Sequence, residues 1–168
     1  MNKQRLLLWS VLLLLLQIVI LNHINLYHSI NPYLYIALIF IFPLSENRFT
    51  FLISVFIYGL VLDFFSDTGG IHTFSTVFIA YTRLFFIRLF FKKENIDYFL
   101  FDLNSEPFGQ VFNYVAVLTL THHFILFSLD NFSTKNIAIV LENTLYSGTL
   151  TLSLYFLISY LFMRKQRR

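Results

Sequence analysis

Cysteine is absent from the chain, and its 168 residues include only three prolines and five glycines. The lack of thiols excludes disulfides, thiol nucleophiles and cysteine-ligated metal centres. Charge is scarce as well: Asp, Glu, Lys and Arg make up 12% of the residues, against about 25% in a soluble domain. Apolar side chains take up the difference, at 57% of the sequence with 22 phenylalanines. The Phe count, together with abundant Ile and Asn, reads as compositional bias and marks no binding site. The apolar residues come in runs of membrane-crossing length and are not scattered at core-facing spacing, which defines an all-α integral membrane protein.

Six spans are expected, at 6–21, 32–44, 49–65, 74–91, 108–129 and 137–163 of a single membrane domain, 1–168. The run at 6–21 follows Lys3 and Arg5 like a signal peptide. No small-residue cleavage site follows it, so it is expected to stay as a helix. The span at 32–44 is short, since 13 residues at helical rise reach about 20 Å of a hydrocarbon core about 30 Å thick. Charge parity argues for it. With six spans, Lys3, Arg5, Arg48, Arg88, Lys92, Lys93, Arg164, Lys165, Arg167 and Arg168 fall on one side and only Lys135 on the other. The positive-inside rule makes the richer side cytoplasmic and puts both termini there. The formal charge of +3 is thereby a topology signal and calls for no nucleic acid. The segment 92–107 alternates charge with Tyr98, Phe99, Leu100 and Phe101, and reads either as a cytoplasmic interfacial segment meeting anionic lipid or as an ordinary loop with an aromatic belt.

Asp63 and Arg83 are the charges that need explaining, because an ionisable group in hydrocarbon costs about 2.5–3.5 kcal/mol even on a lenient scale. Gly59 lies four residues before Asp63, on the same helix face, where it would let a neighbouring helix approach the carboxylate. Two readings stay open. Asp63 and Arg83 form an interhelical ion pair, with the arginine snorkelling outward, or Asp63 caps its helix while Arg83 reaches another partner or a wet crevice. Between them Asp67, Thr68, Gly69 and Gly70 suit a tight turn; no Walker lysine or G-x-G-x-x-G accompanies the glycines.

His72, His122, His123 and Glu142 invite a metal or proton-relay reading. Adjacent histidines point about 100° apart on a helix, and no pair of imidazoles stands four apart around a glutamate. Hydrogen bonding across the bundle is the simpler expectation. Thr144, Gly148 and Thr151 form a small-residue seam on the last span. No G-x-S-x-G and no converging acid and base suggest an enzyme.

Four features carry a resemblance: Asn31-Pro32-Tyr33-Leu34-Tyr35-Ile36 after a Leu-rich first helix; Ile41-Phe42-Pro43; Gly59-Leu60-Val61-Leu62-Asp63; and Asp67-Thr68-Gly69-Gly70-Ile71-His72 leading to Ala80-Tyr81-Thr82-Arg83. In this order and spacing the chain resembles the bacterial rod shape-determining protein MreD family. Beyond Lys93 the likeness rests on hydropathy and the cationic C-terminus. The resemblance implies a multi-pass protein of the bacterial inner membrane, a non-catalytic scaffold of the elongation machinery that regulates cell shape and lateral peptidoglycan synthesis. Its implied partners are MreC, MreB, and RodA with its penicillin-binding transpeptidase. It implies no cofactor and no metal. Candidate structural or interaction residues are Asn31, Pro32, Pro43, Gly59, Asp63, Asp67, Gly69, Gly70, His72 and Arg83.

The family is similar to the substrate-binding membrane subunits of energy-coupling-factor vitamin transporters. That supplies the alternative, a small-molecule-binding subunit whose Asp63, Arg83 and outer histidines line a pocket. A roomy polar cavity would favour transport, and burial of these groups against one another would favour the scaffold.

Overall fold

The computed structural model describes residues 3–24, 30–91, 101–131 and 137–166. Among these the architecture is helical: α1 (Lys3–Val19), α2 (Ala37–Ile41), α3 (Arg48–Ser66), α4 (Ile71–Phe91), α5 (Phe108–Asn131) and α6 (Ile137–Gln166). Short 3-10 turns follow α1 at Leu21–His23, lead directly into α2 at Leu34–Ile36, and precede α5 at Leu103–Ser105. Five helices, α1 with its following turn and α3 to α6, are long and apolar enough to cross a membrane.

The bundle exposes large apolar side chains and buries a set of polar ones beside its apolar core. Phe64 is 82% exposed while Gln17 is 0% exposed, an arrangement consistent with a hydrocarbon solvent. Leu7, Leu15, Phe49, Phe85 and Leu157 belong to the same outward apolar surface. Consecutive long helices pack side by side, α3 on α4, α4 on α5 and α5 on α6, with α1 against α2 and α3.

The expected span at 32–44 differs most from the structure. Only 34–41 is helical, as a 3-10 turn running into the five-residue α2, and this covers about 12 Å at helical rise. Residues 34–40 are all buried, so this segment lies inside the bundle among the longer helices. Pro43 ends it: Phe42, just before the proline, is extended at ψ 129°, the conformation that a following pyrrolidine ring imposes. Of the segment 92–107, residues 92–100 lie outside the described residues, as do Lys135 and the last two arginines; 101–107 contains the turn at Leu103–Ser105.

Ile36, Ile39 and Phe40 join Val55 of α3, Ile79 and Ile87 of α4, and Leu118 of α5 in the main apolar core. Leu34 and Leu38 pack instead with Leu13 of α1 and with Tyr58 and Leu62 of α3. The short segment thus connects both cores, and the long helices close around it.

Candidate functional site

A helical interruption at membrane depth leaves main-chain groups that water cannot reach, and they must find partners inside the protein. Polar side chains of the long helices supply them. Gln17 of α1 donates from Nε2 to the Pro32 carbonyl at 3.0 Å and accepts from the Tyr35 amide at 3.4 Å. Ser147 and Thr151 of α6 accept from the amides of Asn31 and Tyr33 at 3.2 and 2.9 Å. Arg83 of α4 donates from one terminal nitrogen to the Phe42 carbonyl at 2.7 Å and, more weakly, to that of Phe40 at 3.5 Å. These are carbonyls at the C-terminal end of α2, where a cation is favoured.

Asp63 does the opposite service for α4. Its Oδ1 accepts from the Thr68 hydroxyl at 2.6 Å and from the His72 amide at 2.9 Å. Its Oδ2 accepts from the Thr73 amide at 2.8 Å and from the Thr73 hydroxyl. The carboxylate, 6% exposed, therefore sits on the free amides of the α4 N-terminus, where the helix dipole favours negative charge. Of the two sequence readings, the Asp63 to Arg83 ion pair is corrected. Each charge holds a different helix end, and Asp63 caps α4, not its own helix.

The turn between α3 and α4 makes this capping possible. Asp67 takes the left-handed conformation at φ 54° and closes α3 with its amide on the Asp63 carbonyl. Gly69 and Gly70 follow at φ 62° and 106°, the second outside what other residues adopt readily. One helical turn before Asp63, a Cβ built on Gly59 would lie 2.6 Å from Thr73 Cα. The bare glycine lets α4 come close enough for Thr73 to reach the carboxylate.

Tyr35 of the short segment ties α4 to α5. Its hydroxyl is 2.8 Å from His72 Nδ1 and 2.9 Å from His122 Nε2, and Tyr35 and His122 are both 0% exposed. The hydroxyl carries one hydrogen, so it can donate to at most one of the two imidazoles and at least one imidazole donates to it. His122 Nδ1 is buried without a partner. Because an unpaired buried N–H is rarer than an unpaired acceptor, His122 Nε2–H is assigned as donating to the Tyr35 hydroxyl. His123 turns away to the Thr119 carbonyl, 2.7 Å from its Nδ1, and to Thr151 Oγ1, 3.1 Å from its Nε2. Glu142, grouped with the histidines in the sequence, is exposed. Among the described residues no three His, Asp or Glu side chains are grouped to hold a metal ion.

The structure thus brings Asn31, Pro32, Gly59, Asp63, Asp67 and His72 into one connected region around the start of α4 and the short segment. Arg83 and Pro43 lie together at the other end of that segment, lining one small cavity. The seam on α6 has two parts: Thr151 and Ser147 bond to main chain of the short segment, while Gly148 faces Leu120 of α5. Sequence reasoning missed Gln17 and Tyr35. Gln17 was visible as the one polar side chain in the apolar stretch between Ser10 and Asn22.

A helical bundle with several membrane-length apolar helices and an internally bonded polar interior is consistent with a multi-pass membrane protein. No family model, no curated protein and no solved structure matches the chain.

Proposed function

We propose that this chain is a non-catalytic membrane scaffold of the bacterial cell-elongation complex, similar to the MreD family, that docks other membrane proteins in regulating cell shape and lateral peptidoglycan synthesis. One observation supports it most. Asp63, Arg83, His72, His122 and His123, the groups that would line a substrate pocket, are at most 6% exposed, and the cavity that Arg83 borders holds only about 40 Å³. These groups bond to one another's neighbours and to main chain inside the bundle. The motif residues behind the resemblance, Gly59, Asp63, Asp67, Gly69 and Gly70, are also those that shape the α3–α4 hairpin.

In this reading the short buried segment counts as a sixth passage, both termini face the cytoplasm and the bilayer is the inner membrane. The charge distribution supports it. Partners are MreC, MreB, and RodA with its penicillin-binding transpeptidase, and recognition takes place within the bilayer or at its cytoplasmic rim.

The test is a tagged pull-down from native membranes in mild detergent, with bound proteins identified by mass spectrometry. Recovery of MreC and the wall-synthesis enzymes is the expected result. Recovery of an ATPase module together with a retained small molecule would replace this reading by a vitamin-type transporter subunit.

A further inference from the structure

Arg83 is 3% exposed, and its hydrogen bonds to two carbonyls answer only part of a guanidinium's five donors. Its Nε is buried without a partner. One face lies against Phe51, with Cζ 5.3 Å from the ring centroid. Carbonyl dipoles and a ring face reduce the cost of burying a full charge but do not neutralise it. Asp63, the buried carboxylate of the same hairpin, is held by the amides of α4.

Beside Arg83 lies a cavity of about 40 Å³ whose walls include Pro43, Glu46, Arg48, Phe51 and Leu84. That is room for about three waters, or for the oxygens of a small anion. Two arginines and one glutamate line it, a net positive set, and the Arg48 guanidinium also donates to the Tyr81 carbonyl at 3.3 Å and lies over the Tyr81 ring. Arg48 is exposed and is the first residue of α3, which puts the opening at the end of a membrane-length helix, at headgroup depth. Arginine's planar fork suits phosphate oxygens.

We propose that this cavity binds an anionic phosphate group, with buried Arg83 as its principal donor and exposed Arg48 adding charge at the opening. A phospholipid headgroup and free phosphate share this chemistry. The inference is independent of the scaffold reading, because it concerns only what neutralises Arg83.

The test uses the full chain in lipid nanodiscs and reads the thermal unfolding midpoint. Three conditions are compared: neutral phosphatidylcholine; phosphatidylcholine with phosphatidylglycerol; and phosphatidylcholine with inorganic phosphate, matched in ionic strength by sodium chloride. A midpoint several degrees higher with phosphatidylglycerol identifies a lipid headgroup as the ligand, and the same gain with inorganic phosphate identifies free phosphate. The gain should be lost in Arg83→Lys, which keeps the charge but removes the fork, and reduced in Arg48→Gln. It should persist in Arg5→Gln, an exposed cation on α1 that reports general attraction to an anionic surface. Should Arg83→Lys fail to fold, the comparison of Arg48→Gln with Arg5→Gln decides. No gain in the wild type, or equal loss in Arg48→Gln and Arg5→Gln, overturns the proposal.

Discussion

The carboxylate of Asp63 accepts both the main-chain amide and the side-chain hydroxyl of Thr73 across the α3–α4 hairpin. With the His72 amide and the Thr68 hydroxyl on its other oxygen, it gives the first turn of α4 a charged cap supplied by a different helix. Asp63→Asn turns an amide NH2 toward two of these donors. A loss of about 2–3 kcal/mol is expected, in the range of hydrogen bonds to charged groups. Reversible unfolding in mixed micelles measures it, and a loss below about 0.5 kcal/mol would remove the cap from the account of the hairpin.

Two glycines separate rigid from yielding contacts. At Gly59 an added methyl meets Thr73 Cα, which is main chain, at 2.6 Å; at Gly148 it meets the Leu120 Cδ2 methyl at 2.8 Å. A leucine side chain can rotate away and a helix backbone cannot. Gly59→Ala should therefore cost about 1–3 kcal/mol by overpacking, and Gly148→Ala clearly less. Equal costs in the same unfolding assay would contradict the close approach of α3 and α4.

The turn glycines should also differ. Gly69, at φ 62° with open space around it, is in the left-handed region that Asn tolerates, so Gly69→Asn should be nearly neutral. Gly70, at φ 106°, should lose about 1–3 kcal/mol when changed to Ala, from backbone strain alone. Thermal midpoints of the two variants in one detergent decide the matter.

Tyr35→Phe removes the hydroxyl between His72 and His122 and keeps the ring packed against Tyr58. About 1–2 kcal/mol should be lost, since both imidazole nitrogens are left unpaired. His122→Gln in the Tyr35→Phe background should add less than it does alone, because the two act through one bond. Strict additivity would separate them.

These positions show what hydropathy reveals and what it hides. The long helices were legible because each is a run of apolar residues whose ends are marked by Asn47, Pro107 or the Asp67 turn. The buried segment at 34–41 was legible as apolar but not as short. Whether a 13-residue run stretches into a helix or stays broken depends on who bonds its main chain, and those partners, Gln17, Arg83, Ser147 and Thr151, are distant in sequence. Asp63 and Arg83 stood out as charges in hydrocarbon. Opposite sign suggested pairing, yet a carboxylate near a helix start and a guanidinium near a helix end have main-chain partners that sequence inspection does not weigh. Tyr35 was invisible among ten tyrosines, because only the packing of three elements places its hydroxyl between two imidazoles.

The most direct test of the view that both buried charges hold helix ends is a double-mutant cycle of Asp63→Asn and Arg83→Gln, read as unfolding free energy. Each single variant should destabilise, and the two effects should add to within about 0.5 kcal/mol, as for sites that share no partner. A coupling above about 1 kcal/mol, or rescue by the exchanged pair Asp63→Arg with Arg83→Asp, would show that the two charges act on each other and would contradict the assignment.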